Sequence, residues 1–180
     1  TGAMKRQLDL MKSRLLDTQY SFLLEPGDWN PDKDGKIKED LDGLLEEWLG
    51  HDKPITIFDL SGMPSARLTL LLGAVLDIIF ESAIWGRNVA EGMRERPLLI
   101  VLEEAHRYLG KSESGHSKEM VQRIAKEGRK FGVGAMIVSQ RPSEIDETIL
   151  SQCGTIISLR INNSTDRGIV KAAMSDGLAG

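Results

Sequence analysis

A chain of 180 residues has room for one medium domain rather than two, since domains commonly run to ~100–150 residues. With 41% hydrophobic and 28% charged residues it can bury a core, which excludes a disordered, collagenous or coiled-coil chain. Twenty-three Lys and Arg against 27 Asp and Glu leave a formal charge of -4, which excludes a small basic module that coats nucleic acid by bulk charge but not a local basic lining.

Thr1-Gly2-Ala3 ahead of Met4 reads as an expression scar, and no charged stretch followed by an apolar one marks a signal peptide. Leu8, Met11, Leu15, Gln19 and Phe22 recur at helical spacing, so an amphipathic helix is predicted over 5–24, ended by Pro26-Gly27. A polar loop over 28–35 follows. Its Asn30, Asp32, Asp34, Gly35 and Ile37 mimic the start of a calcium loop, but Leu41 stands where the bidentate glutamate belongs, which leaves an acidic turn. Ile37, Leu41, Leu44, Leu45 and Trp48 share one face of a second helix capped by Gly50.

The pattern then changes. Ile55-Thr56-Ile57-Phe58-Asp59-Leu60, bounded by Pro54 and Ser61-Gly62, predicts a buried strand. A long helix follows over 64–93, apolar on almost every side between Leu68 and Trp85. Its most apolar run, Leu68 to Leu76, is nine residues before Asp77 interrupts it, short of the ~20 that cross a bilayer, so no membrane span is expected. Apolar strands are predicted at 97–102, ending in Glu103-Glu104, at 132–139, ending in Gln140-Arg141-Pro142, and at 155–159. Helical patterns fill 116–130, 143–152 and 164–173. The single Cys153 has no internal disulfide partner, so the expected compartment is reducing and cytoplasmic and the thiol a small core hydrophobe.

Strands apolar on both faces that alternate with helices indicate an α/β fold with a mainly parallel sheet covered on both sides. Functional groups in such sheets gather beyond the carboxyl ends of the strands, here Asp59, Glu103, Glu104, Gln140 and Arg141. Two carboxylates at the end of a buried strand repel each other unless a cation or a proton is shared. Mg²⁺ held through water by one, with the other orienting an attacking water, accounts for both; so does the solvated first turn of a helix, whose positive end favours acidic residues. Arg129 and Lys130, just before the third strand, can reach a phosphate on a neighbouring subunit or complement a helix C-terminus. Gln140 can sense a γ-phosphate or position water, or cap the turn before Pro142. His106 and His116 fit no zinc spacing; the first belongs to the Glu-Glu-Ala-His turn and the second to a polar loop.

Leu98 to His106, then Glu127-Gly128-Arg129-Lys130-Phe131-Gly132-Val133-Gly134, Val138-Ser139-Gln140-Arg141-Pro142-Ser143 and Arg160 to Arg167, in that order, resemble the HerA family of hexameric DNA-translocating ATPases over roughly 54–176. The resemblance implies a RecA-like three-layer core related to the FtsK translocases, with 4–53 as an N-terminal helical segment and 54–180 as the core. It implies that Glu103 is the Walker B acid that helps hold Mg²⁺, Glu104 the catalytic glutamate, Arg129 the trans-acting arginine and Gln140 the polar sensor. Lys130 and Arg160 are further candidates for nucleotide phosphates; Arg160 and Arg167 lie in a family-like segment without a defined role. ATP and Mg²⁺, a homo-hexamer, double-stranded DNA and a partner nuclease in DNA end processing are implied with it, and no membrane.

The departure is the phosphate cradle. A P-loop needs Gly-x-x-x-x-Gly-Lys-[Ser/Thr] between strand and helix; Gly110-Lys111-Ser112 fails because Ala105 stands at the first glycine. The core is therefore expected to lack its P-loop strand and the 180 residues to be inactive alone. Six copies of a few pore-facing cations can grip DNA where the subunit is acidic, and Lys111, Lys118, Arg123 and Arg141 are candidates, against a solvated helix face. A different reading is a non-catalytic ring-forming or regulatory module that recruits an effector.

Overall fold

The computed structural model describes residues 2–18, 27–89, 92–112 and 115–178. Gln19 and Phe22 of the first predicted helix, Pro26 expected to end it, residues 90–91 of the long one and 113–114 of the Ser/Gly loop lie outside them. The chain forms two compact units, Thr1–Asp59 and Leu60–Gly180.

In the first unit, helix α1 (Gly2–Leu15) begins within the three residues set aside as a scar, and a short helix α2 (Leu41–Leu45) runs into a π turn (Glu46–Gly50). Asp40 caps α2 by accepting the Gly43 N–H at 2.9 Å, which satisfies one of the orphan donors of the first turn. Asp32 Oδ1 closes the acidic turn by accepting the N–H groups of Asp34 at 2.9 Å and Lys36 at 2.8 Å. Residues 55–60 form no strand. Ile55 and Ile57 are exposed and the backbone finds no ladder, while Phe58 packs edge-on against Trp48 at 5.0 Å. A β-branched run makes a strand only where a neighbour supplies hydrogen bonds.

The second unit holds the core. Helix α3 (Ser65–Trp85) is followed by strand β1 (Leu98–Leu102), helix α4 (His116–Glu127) and strand β2 (Val133–Ile137), then two short turns of helix and α6 (Ser164–Leu178); of these turns Glu147–Ser151 is α5. β1 and β2 pair in parallel with Leu98 opposite Val133 and Leu102 opposite Ile137, joined through α4 as a crossover. Leu68, Leu72, Leu76, Phe80 and Ala83 of α3 meet Met120, Val121 and Ile124 of α4, with Leu102, Val133, Ile145 and Ile149 closing the cluster. Burial of each large side chain contributes roughly 1.5–3 kcal/mol.

By length and composition α3 could cross a membrane, because the charge-free run understates how apolar the whole helix is. Here it is the core helix of the unit. Its two acids are paired, Asp77 with His116 at 3.3 Å and Glu81 with Arg123 at 3.0 Å.

Three further expectations are corrected. The fourth predicted strand, 155–159, is extended without a ladder, with Ile157 76% and Leu159 86% exposed. The sheet is covered on one face: Leu98, Ile100 and Leu102 alternate inward, while Leu99 is 58% exposed and Val101 and Met136 share its open side. The predicted helix over 143–152 is a 3₁₀ turn (Pro142–Glu144) and α5, split where Ile145 forms a bridge to Gly110 and Asp146 caps the second piece. The structure is thus α/β, with a two-stranded parallel sheet among the described residues.

Candidate functional site at the carboxyl edge of the sheet

The chain leaves β1 through a turn that is bonded to the end of β2. Val138 N–H donates to Leu102 O at 2.9 Å, and Ala105 N–H donates to Val138 O at 3.0 Å. Between those bonds Glu104 adopts the left-handed region, φ 50° and ψ 39°, the single described non-glycine residue with positive φ. That conformation costs ~1–2 kcal/mol outside glycine and persists only where the surroundings enforce it, a condition met often at functional sites. Buried Ala105 on one side and the Tyr108 hydroxyl, which donates to Glu103 O at 2.8 Å, hold the turn. Burial first, and then the Glu103 charge, push the Tyr108 phenol up to about 12, so it remains a donor.

The two carboxylates have different surroundings. Gln140 Nε2 donates to Glu104 Oε1 at 2.8 Å, and His106 Nδ1 lies 3.4 Å from Glu104 Oε2. Glu103 is exposed and its carboxylate has no ion pair or hydrogen bond among the described residues. A free hard-oxygen donor beside a fixed one fits Mg²⁺ that keeps most of its waters. Among the described residues no three His, Cys, Asp or Glu gather into a fuller protein cage.

Arg129 and Lys130 sit at the opposite, amino edge, on a 3₁₀ turn (Gly128–Phe131). Gly132 closes that turn at φ 76°, where a Cβ would collide with the Met93 carbonyl, and a Cβ at Gly128 would collide with the Val133 carbonyl. Two positions that admit only glycine therefore fix the loop, Phe131 turns in against Phe80 at 5.6 Å, and both cations face solvent. Neither makes an ion pair among the described residues, and neither does exposed Arg160. Arg167 instead approaches its own loop, with Nη1 3.3 Å from Asn162 O.

The four DNA candidates each have a carboxylate partner within the chain. Lys118 pairs with Asp146 at 2.8 Å, both largely buried, and Lys111 with Glu147 at 2.8 Å on the surface. Arg123 pairs with Glu81 and lies over the Phe80 ring at 5.0 Å, and Arg141 pairs with Glu144 at 2.9 Å. The Lys118 hydrogen bond, with help from Thr148, holds the Asp146 carboxyl below the usual range. His116 opens α4 and faces Asp77 rather than lying in the polar loop; Cys153 is half-buried, which pushes its thiol up.

Two further residues shape the site, both inside segments that carry the family resemblance but neither singled out there. Ser139 Oγ accepts the Arg141 N–H at 3.0 Å, and buried Asp166 accepts the Ser143 N–H at 3.0 Å, tying the segment after β2 to α6. Those Ser143 hydrogen bonds keep the Asp166 carboxyl below its ordinary value.

No family model matches the chain. It is 32% identical over 144 residues, 66% of its length, to a DNA double-strand break repair helicase HerA of Pyrococcus furiosus, of which it covers 26%. A probable helicase of Methanocaldococcus jannaschii is 35% identical over 142 residues, 77% of the chain and 27% of that protein. A HerA of Saccharolobus solfataricus, also named a DNA double-strand break repair helicase, is 49% identical over 83 residues, 46% of the chain and 16% of that protein. The chain thus spans about a quarter or less of the length of these relatives.

Proposed function

We propose that this chain, which belongs to the HerA-like helicase family, supplies the C-terminal part of the RecA-like ATPase domain of a DNA-translocating motor. The observation that carries the reading is the Glu104 carboxylate, held on a left-handed turn by Gln140 across the ends of two parallel strands. A general base must be fixed within reach of the water it activates, and the Gln140 bond that orients Glu104 supports that role. Glu103 is the residue that would hold Mg²⁺ through water, and the ion, when bound, would neutralise charge on the phosphates. Gln140 keeps Glu104 oriented and senses the nucleotide. Arg129, with Lys130 and Arg160 as further phosphate contacts, reaches the ATP of the neighbouring copy in a homo-hexamer.

The substrate of the motion is double-stranded DNA in the cytoplasm, in end processing with a partner nuclease. Lys111, Lys118, Arg123 and Arg141 reach DNA only by exchanging their carboxylates for phosphates, which makes Lys118, the most buried of those pairs, the most costly to recruit. The 180 residues contain no Gly-x-x-x-x-Gly-Lys-[Ser/Thr], so on their own they bind no phosphate in a cradle and hydrolyse no ATP.

The test is DNA-stimulated, Mg²⁺-dependent ATPase activity of the full-length protein with Glu104→Gln and Arg129→Ala. Both variants are expected to lose turnover, Glu104→Gln by roughly 10²–10⁴-fold. An active wild type with both variants unchanged would overturn the site. A wild type that assembles on DNA and hydrolyses nothing would favour a ring-forming module that recruits an effector.

A further inference from the structure

His106 lies two residues past Glu104, on the 3₁₀ turn Ala105–Arg107, with its side chain only 15% exposed. Its Nδ1 is placed between two oxygens, Ser139 Oγ at 3.2 Å and Glu104 Oε2 at 3.4 Å. Those oxygens differ in kind. A carboxylate oxygen only accepts, whereas a hydroxyl can accept or donate, and Ser139 Oγ already accepts the Arg141 N–H at 3.0 Å.

The tautomer of His106 therefore decides what holds Glu104. With its proton on Nδ1 the ring donates to Ser139 Oγ and presents the same positive N–H edge to Glu104 Oε2 at ion-pair distance, while Gln140 donates to Oε1. With Nδ1 bare, Ser139 donates to the ring and Oε2 faces a lone pair that repels it. Gln140 and Ser139 are neighbours at the end of β2, so the Nδ1–H form links both oxygens of the carboxylate to one segment of backbone.

We propose that His106, protonated at Nδ1, is a positioning residue for Glu104 that, with Gln140, clamps the carboxylate to the end of β2. The proposal rests on the reading of Glu104 as the group that orients water. His106 touches neither nucleotide nor metal in it; it acts through the carboxylate, so its removal lowers turnover and leaves nucleotide binding in place.

The experiment is steady-state DNA-stimulated ATPase kinetics of the full-length protein with His106→Ala, His106→Asn, His106→Gln and Glu104→Gln. The Asn amide nitrogen lies as many bonds from Cβ as Nδ1 does, and the Gln amide nitrogen stands one bond further, in the place of Nε2. His106→Ala is expected to lower kcat roughly 10- to 100-fold, as loss of an orienting partner does, with KM for ATP within about twofold. His106→Asn should restore most of the loss, and His106→Gln little of it. Unchanged kcat in His106→Ala, or equal rescue by Asn and Gln, overturns the clamp. If His106→Ala does not fold, the contrast between Asn and Gln decides alone. Loss of activity in Glu104→Gln beside an unaffected His106→Ala rejects only the clamp. An inactive wild type, or an active Glu104→Gln, rejects the functional reading and the clamp with it.

Discussion

The two edges of the β1–β2 sheet are built by opposite means. At the carboxyl edge the side chains hold one another: Glu104 is met by Gln140 and His106, and the turn beneath it is strained. At the amino edge the backbone does the holding. Gly128 and Gly132 lock the turn, while the Arg129 and Lys130 side chains stand in solvent without an ion pair among the described residues. On the proposed reading, the preorganised carboxylate acts within its own chain, and the rigidly mounted arginine, without an ion pair among the described residues, is offered to a charge on another molecule.

Arg129→Ala offers the largest way to break this contrast. If Arg129 acts in trans as proposed, turnover should fall by roughly 10³-fold or more, with the thermal midpoint unchanged because the side chain is exposed. Arg129→Lys should not restore it, since a point charge lacks the guanidinium fork. A shifted midpoint would make the arginine structural. Gly132→Ala should do the reverse and destabilise by about 3 kcal/mol in denaturant unfolding, because the new Cβ meets the Met93 carbonyl at a positive φ.

At the carboxyl edge Gln140→Ala should lower kcat by roughly 10-fold with stability within about 0.5 kcal/mol, since the bond it removes is exposed. A larger loss of stability than of activity would deny the carboxylate its orienting partner. The smallest effect is that of acid. Asp146 and Asp166 have folded values below their unfolded ones, so both contribute stability above the ordinary carboxylate range and lose it as pH falls through the folded values. Asp146→Asn should therefore be less stable than wild type at neutral pH, and the gap should close on acidification. A gap that persists in acid would assign the loss to packing instead of charge.

Legibility in the sequence followed the range of the interactions. β1, β2 and α3 were readable as continuous apolar runs of strand or helix length and the body of α4 from its helical pattern, while Glu103-Glu104 and Gln140 were readable as polar residues ending apolar strands. Ile55–Leu60 and Thr155–Leu159 are short runs rich in β-branched residues that suit a strand, yet neither finds a ladder, because pairing depends on a neighbour and not on the run itself. The Lys118–Asp146 and Arg123–Glu81 pairs join residues far apart in the chain, so cations that looked available in sequence are engaged in the fold. The left-handed turn at Glu104 and the place of His106 between two oxygens arise from how the strand ends meet, which no residue pattern encodes.

The most direct test mixes two dead proteins. Full-length Glu104→Gln and Arg129→Ala subunits, combined at equal amounts and assembled on duplex DNA, should recover ATPase activity at up to about a quarter of the sites, the share of interfaces in a closed ring that pair an intact Glu104 with an intact Arg129. A mixture no more active than its two components would place both residues in the same subunit's site and contradict the division of labour between the two edges.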